Sequence, residues 1–215
     1  MLWPSTVDAF RVLGYEVVTQ AQDQPQQHLD RGGYGAVYKL RNPKTKDVVI
    51  AKVAIDHDDV VAQTPQGENI TAKKFLEIEA RALSGGFGAL PDDLVPQFRL
   101  HLDNPGIQPF LVMEFIDGHT LKQYREQNPQ LPGADRLKLI QKLFSALHRL
   151  HQAGIVHGDI SPKNILITPD GGIRFIDFGS ARKLDQQQHS TTSFLLPRRP
   201  MTPGIGNHQL VSEGK

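Results

Sequence analysis

The run His157-Gly158-Asp159-Ile160-Ser161-Pro162-Lys163-Asn164-Ile165-Leu166-Ile167, followed by Ile176-Asp177-Phe178-Gly179, constrains this chain more than any other feature. A carboxylate is followed five residues on by an amide, and eighteen residues on by a second carboxylate. The amide opens one short apolar run and the second carboxylate closes another, so each sits where a strand meets a turn. An amide and a carboxylate so placed offer oxygen ligands to a hard divalent cation. The first Asp remains to orient a hydroxyl. Turn capping is the ordinary role of any one of the three. Three coincident caps in this order and spacing would be an accident.

Length and composition bound the rest. A chain of 215 residues, 39% hydrophobic, suits one large domain or two small lobes. No apolar run reaches the roughly 18 residues of a membrane span. The start, Met1-Leu2-Trp3-Pro4-Ser5, lacks the basic region and long apolar stretch of a secretory signal peptide. Export by a route that reads a different N-terminal segment stays open. With no cysteine there is no disulfide framework and no thiolate metal site. A net charge of +1, from 24 basic and 23 acidic residues, leaves no nucleic-acid footprint.

Along the chain, Tyr15 to Val18 reads as a short strand or flank, and Gln20 to Gln27 as a polar loop. Ala36 to Leu40 and Val48 to Val53 read as a hairpin turned by Asn42-Pro43-Lys44-Thr45. Asp56 to Gly67 reads as a surface loop, and Lys73 to Leu83 as a helix. Val95 to Leu100 and Phe110 to Ile116 read as strands around the turn Asn104-Pro105-Gly106. After Asp117-Gly118 the character changes. Leu121 to Gln127 reads as a short helix, and Ala134 to Gln152 as a long one in which Ile140, Leu143, Leu147 and Leu150 share a face. Ile165 to Ile167 and Ile173 to Ile176 read as two short strands joined by Pro169-Asp170-Gly171-Gly172. Beyond Arg182 the composition turns to Gln, Ser, Thr, Pro and Gly, poor material for a packed core. The fold class is α+β, with an antiparallel sheet before residue 117 and helices after it.

Further chemistry-bearing residues lie upstream. Leu29-Asp30-Arg31-Gly32-Gly33-Tyr34-Gly35-Ala36-Val37 places three glycines in a hairpin, where backbone N–H groups can approach phosphate oxygens. Lys52 interrupts an apolar strand, Val49-Ile50-Ala51-Lys52. An unpaired ammonium there would be costly, so it needs anions. Glu77 and Glu79 are the nearby carboxylates on the candidate helix. Met113-Glu114-Phe115-Ile116-Asp117-Gly118 is an apolar run closed by a turn, and lies between the two regions.

Together these motifs, across residues 29–182, resemble the protein-kinase superfamily. The resemblance implies a two-lobed fold: an N-terminal flank at 1–28, a sheet lobe at 29–116, a reduced helical lobe at 117–182 and a polar segment at 183–215. It implies ATP and Mg²⁺ as cofactors. Gly32, Gly33 and Gly35 match the glycine-rich loop, Val37 lies above the base, and Ala51 lines the adenine pocket. Lys52 anchors phosphates and pairs with Glu79, favoured over Glu77 because Leu83 follows four residues later. Met113 gates the back of the pocket. Glu114 and Ile116 belong to the connector that holds adenine through its backbone, and Leu166 floors it. Asp159 orients the substrate hydroxyl, Asn164 and Asp177 hold Mg²⁺, and His157 is a core residue beside Phe178 and Leu83.

The departures matter. Asp30 stands where the loop's first glycine is expected, Gly158 where an arginine receives an activation-segment phosphate, and Ser161 where a lysine meets the transferred group. Few residues follow Asp177-Phe178-Gly179, leaving no room here for the helices that complete an ordinary lower lobe. A compact chain of this kind resembles the kinases that bacterial pathogens inject into host cells. One type III effector family among them phosphorylates the chaperone HSP90. That resemblance implies a monomeric serine/threonine kinase secreted into the host cytoplasm, or otherwise cytoplasmic, with a protein substrate and neither nucleic acid nor membrane as partner. Two alternatives stay open: a pseudokinase binding module, motivated by Asp30, Gly158 and Ser161, and a small-molecule kinase of the aminoglycoside or choline type, motivated by His-Gly-Asp.

Overall fold

Alternation at the pleat's period of two builds the upper lobe. The architecture is a computed structural model describing residues 2–18, 30–32, 35–54, 60–63 and 69–184. Helix α1 (Pro4–Val12) leads into strand β1 (Glu16–Val17). Strands β2 (Asp30–Gly32), β3 (Gly35–Arg41) and β4 (Val48–Val53) follow. A two-stranded ribbon, β5 (Val60–Gln63) with β6 (Asn69–Thr71), precedes α2 (Ala72–Leu83). Then come β7 (Phe98–Leu102) and β8 (Phe110–Glu114). The antiparallel sheet runs β1-β3-β4-β8-β7, with β2 paired to β3. In β3 and β4 the inward set is Ala36, Tyr38 and Leu40 with Val49, Ala51 and Val53.

Central strand β8 is buried on both faces, and so reads as a continuous apolar run. One face packs Phe110 and Val112 against Phe10 of α1, with Ala36, Tyr38, Ala51 and Val53. The other packs Leu111 and Met113 against Leu76 and Ala80 of α2. Helix α1, which hydrophobic periodicity did not flag, starts on Pro4 at a position where a missing N–H costs nothing. It is pinned through Gln108, whose N–H donates to Thr6 Oγ1 and whose Oε1 accepts from the Trp3 N–H at 2.8 Å. Residues 2–17, expected as a flank, thus supply one wall of the upper lobe's core.

The lower lobe is built from β9 (His119–Thr120), α3 (Leu121–Gln127), α4 (Gly133–Gln152), β10 (Ile155–Val156), β11 (Ile165–Ile167), β12 (Ile173–Phe175) and β13 (Arg182–Lys183). Strands β12-β11-β9 form one small sheet and β10-β13 another. Ala146 and Leu150 of α4 pack against Ile155, Ile165, Phe175 and Phe178. This is the expected α+β protein-kinase fold, a sheet lobe above a helical lobe. No helix among the described residues is long and apolar enough to cross a membrane.

Three local expectations change. Val60–Gln63 is a strand rather than loop, because it finds a partner in Asn69–Thr71. Strand β7 starts at Phe98, not Val95, since Pro96 has no N–H for a ladder. Ile140 does not share the buried face of α4 with Leu150; it is 47% exposed.

Candidate active site

Lys52 lies on the face of β4 opposite Val49, Ala51 and Val53, and its cross-strand neighbours are Val37 and Leu111. Its ammonium pairs with Glu79 from α2 and, at 2.7 Å, with Asp177 Oδ1. Burial alone would lower the Lys52 pKa; the charges of Asp177 and Glu79 outweigh it and raise the pKa above the ordinary value. The lysine therefore stays cationic at neutral pH. Glu79 is 1% exposed. Burial raises its pKa and Asp177's like charge adds to this, while Lys52 opposes both. Glu79 Oε1 also accepts the Phe178 N–H at 3.1 Å. One carboxylate thus ties the sheet, α2 and the segment after Asp177 together. Glu77, the alternative, faces outward and pairs with Lys74.

Asp177 itself adopts φ +66°, the left-handed region that few non-glycine residues enter. Burial of Phe178 beside His157, ring centroids 4.6 Å apart, holds it there. His157 Nε2 lies 2.9 Å from the Ile176 carbonyl oxygen, and the Asp159 N–H approaches Nδ1 at 3.3 Å. These partners suit the neutral tautomer with the proton on Nε2. His157 is therefore a brace between two loops, buried beside Phe178 as the resemblance implied. The Asn164 amide nitrogen donates to the Asp159 carbonyl oxygen at 2.9 Å and to Asp159 Oδ2 at 3.0 Å. The Ile176 N–H donates to the Asn164 carbonyl oxygen. Asp159, Asn164 and Asp177 are thus held by one continuous network.

That network suits a cation that arrives with its own anionic ligands. Asn164 commits its nitrogen to Asp159, so its side-chain carbonyl oxygen is the atom offered to a metal. Among the described residues no three His, Cys, Asp or Glu side chains converge on one point. One amide and one carboxylate make an incomplete cage, as expected where Mg²⁺ takes further oxygens from phosphates and water. The donor chemistry therefore fits.

Of the anticipated nucleotide-contacting residues, Val37 stands opposite Lys52 across the β3–β4 ladder, Met113 and Glu114 close β8, Ile116 follows them, and Leu166 lies on β11. Gly32 pairs with Gly35 at the end of the β2–β3 hairpin, and a Cβ at Gly35 would run into the Val53 carbonyl. Gly33 lies outside the described residues. Ala51 is a correction. A strand's period of two sends it to the face opposite Lys52, fully buried in the Phe10 and Tyr38 cluster. Ile50, paired with Met113 across the ladder, occupies the Lys52 face; alternation from Lys52 was the signal that identifies it. Glu114 also has an unanticipated role. Its Oε2 accepts from Arg174 at 2.7 Å and from the Gln97 N–H at 3.0 Å. Arg174 further donates to the Val95 carbonyl. Gly158 has φ +83°, and a Cβ there would collide with the Ser180 carbonyl. The missing arginine is thus replaced by close backbone packing. Ser161 is buried and Lys163 points to solvent.

Comparison with known proteins agrees with this geometry. The protein kinase domain family model matches residues 92–210, more than half the chain. The probable serine/threonine-protein kinase CPE1738 of Clostridium perfringens is 33% identical over 173 residues, 79% of this chain and 23% of that protein. PrkC, a serine/threonine-protein kinase of Bacillus subtilis, is 39% identical over 87 residues, 40% of this chain and 13% of that protein. The probable serine/threonine-protein kinase PknB of Lactococcus lactis is 38% identical over 86 residues, 40% of this chain and 14% of that protein. The chain thus spans less than a quarter of these relatives. With the lysine–glutamate pair, the braced Asp159–Asn164 loop and Asp177 all in register on the two-lobed fold, the chain belongs to the protein kinase domain family.

Proposed function

We propose that the chain is an ATP- and Mg²⁺-dependent serine/threonine kinase acting on a protein. The observation that carries this reading is the Lys52 ammonium bridging Glu79 and Asp177, with Asn164 bracing Asp159 and its carbonyl bonded to the residue before Asp177. Lys52, kept charged, anchors the α- and β-phosphates, and Glu79 fixes its position. Asp177 and the Asn164 carbonyl oxygen hold the cation. Mg²⁺, when bound, neutralises charge on the phosphoryl group being transferred. The Asp159 carboxylate aligns the substrate hydroxyl and receives its proton as that oxygen bonds to the γ-phosphorus and the bond to the β-phosphate oxygen breaks. Position matters more than basicity here. Gly32, Gly33 and Gly35 cover the phosphates; Val37 and Leu166 sandwich adenine; Met113, Glu114 and Ile116 line its edge.

The test is transfer from labelled ATP. The purified chain is incubated with Mg²⁺ in bacterial and eukaryotic lysates, and separately with aminoglycosides and choline, using Asp159→Ala as the blank. Phosphoserine or phosphothreonine on a dominant protein supports the reading. Turnover confined to a small molecule replaces it with the small-molecule class. Tight ATP binding without transfer replaces it with a binding module. A narrower role, a secreted bacterial effector phosphorylating HSP90 in a host cell, rests on the sequence resemblance alone. HSP90 as the dominant labelled host protein supports it, and an unlabelled HSP90 beside another labelled protein rejects it.

A further inference from the structure

His101 stands where the upper sheet meets α2, and the proposed reaction makes no use of it. Regular alternation from Phe98 would send Leu100 and Leu102 towards α2 and His101 away from it. The register of β7 against β8 shifts between Phe98 and Leu100, and the shift reverses that set. Phe98 packs in the cluster on the α2 side, while Leu100 and Leu102 pack in the cluster on the α1 side. His101 is the cross-strand partner of Leu111, which faces α2. One bulge thus turns an imidazole under the helix that carries Glu79.

This interface offers no acceptor to a proton on the inner ring nitrogen. His101 Nε2 is buried and has no hydrogen-bond partner. From β8 it faces Leu111, apolar and fully buried. The charged groups around the ring are committed to one another. Lys73 of α2 pairs at 2.7 Å with Asp103, just past the end of β7. Glu77 of α2 pairs with Lys74 at 2.8 Å. Burial lowers the His101 pKa from its ordinary value of 6.5. The carboxylates of Asp103 and Glu77 oppose this without cancelling it, and the Lys73 ammonium adds to it. An imidazolium here would carry an N–H that only water can satisfy, and water reaches it only when α2 lifts.

We propose that His101 is a positioning residue for Glu79 and an acid-sensitive latch: neutral, it lets α2 lie against the sheet, and protonated, it favours the helix lifted and Glu79 parted from Lys52. This deepens the proposed function and rests on it. The chemical step is the uptake of one proton from water by the ring, with no other bond made or broken. In the lifted state the ring is hydrated and binds that proton more readily than in the docked state. The docked state is therefore fully favoured above about pH 6.5 and loses ground as pH falls below it. Because α2 also delivers Glu79 Oε1 to the Phe178 N–H, lifting it loosens the segment after Asp177 as well. Phosphate anchoring by Lys52 weakens in acid, so the KM for ATP rises.

The decisive test needs no turnover, so its failure is separable from failure of the kinase reading. Amide hydrogen exchange across 72–83 is measured by mass spectrometry on the full chain, at about pH 7 and about pH 5.5, and corrected for the intrinsic pH dependence of exchange. Protection of α2 in the parent should fall by about threefold or more at the lower pH. His101→Leu, which keeps an apolar body beside Leu111 and cannot titrate, should hold its protection at both. His101→Gln is the second non-titrating variant if the first melts early. In transfer assays the KM for ATP should rise in acid for the parent and stay level for the variants. An equal loss of α2 protection in the variants assigns the acid effect to another group and overturns the proposal. So does unchanged protection in the parent. A third result against it is a His101 ring signal, identified in NMR spectra by its absence from the variants, that titrates at or above about pH 6.5. A chain that transfers no phosphate yet shows the latch in exchange overturns the kinase reading and leaves the positioning of α2 by His101 standing.

Discussion

At the residue scale, the site depends on charges that have little reason to be buried except each other. Lys52 and Glu79 stabilise one another only as a pair, and removing one leaves the other exposed to the full cost of burial. Lys52→Ala or Asp177→Ala should lower kcat/KM with labelled ATP by about 100-fold or more, the scale of losing one preorganised charge. Circular dichroism should stay close to the parent's. Parent-like transfer by Asp177→Ala would falsify its assignment as a metal ligand. Gly158 is a different kind of residue. Its φ of +83° costs an alanine about 1–2 kcal/mol, before any contact with the Ser180 carbonyl. Gly158→Ala should therefore lower the melting temperature and the transfer rate together. A variant as stable and active as the parent would show that the loop and the Ser180 backbone separate at no cost.

Elements in this molecule are tied by a few directional bonds at their ends. Arg174 on β12 reaches the Val95 carbonyl and Glu114 at the end of β8, while the Phe175 N–H donates to the Leu94 carbonyl at 2.7 Å. These join the lower lobe to the segment after α2 and to the connector. Arg174→Ala should cost about 1–3 kcal/mol of unfolding free energy, the range for charged hydrogen bonds that lose a partner. Urea denaturation measures it. Because Glu114 keeps the Gln97 N–H, the loss should be only partly restored by adding Glu114→Gln. Helix α2 is capped by Thr71, whose Oγ1 accepts the Lys74 N–H. Thr71→Ala should cost about 0.5–2 kcal/mol. Since α2 carries Glu79, the KM for ATP should rise along with that loss.

On the scale of the whole molecule, switching by phosphorylation lacks the receptor expected within the catalytic loop. Gly158 supplies no guanidinium, and its position is closed by backbone. The chain should be active as made. Thr191, Thr192 and Ser193, which lie outside the described residues, are the obvious modification sites. Replacing all three by Ala should leave initial rates within about tenfold of the parent. A larger loss, with the parent itself activated by phosphorylation of those residues, overturns this.

The sequence by itself determined the order in which the candidate chemistry-bearing residues stand. Spacing along one chain is enough to list Lys52, Asp159, Asn164 and Asp177 as candidates, because Lys52 interrupts an apolar strand, Asn164 opens a short apolar run and Asp177 closes another. It also determined most elements of the lower lobe, where strand and helix periods are clean. Tertiary packing settled what local pattern left open. Glu79, favoured over Glu77 by Leu83 four residues on, meets Lys52 because α2 turns that face to β8. Ala51 belongs to the opposite face of β4 because alternation, not proximity in sequence to Lys52, sets its direction. Helix α1 is held where it is because burial is a property of what lies opposite: Phe110 covers Phe10. Local pattern records which residues prefer burial, and the assembled fold allots the space.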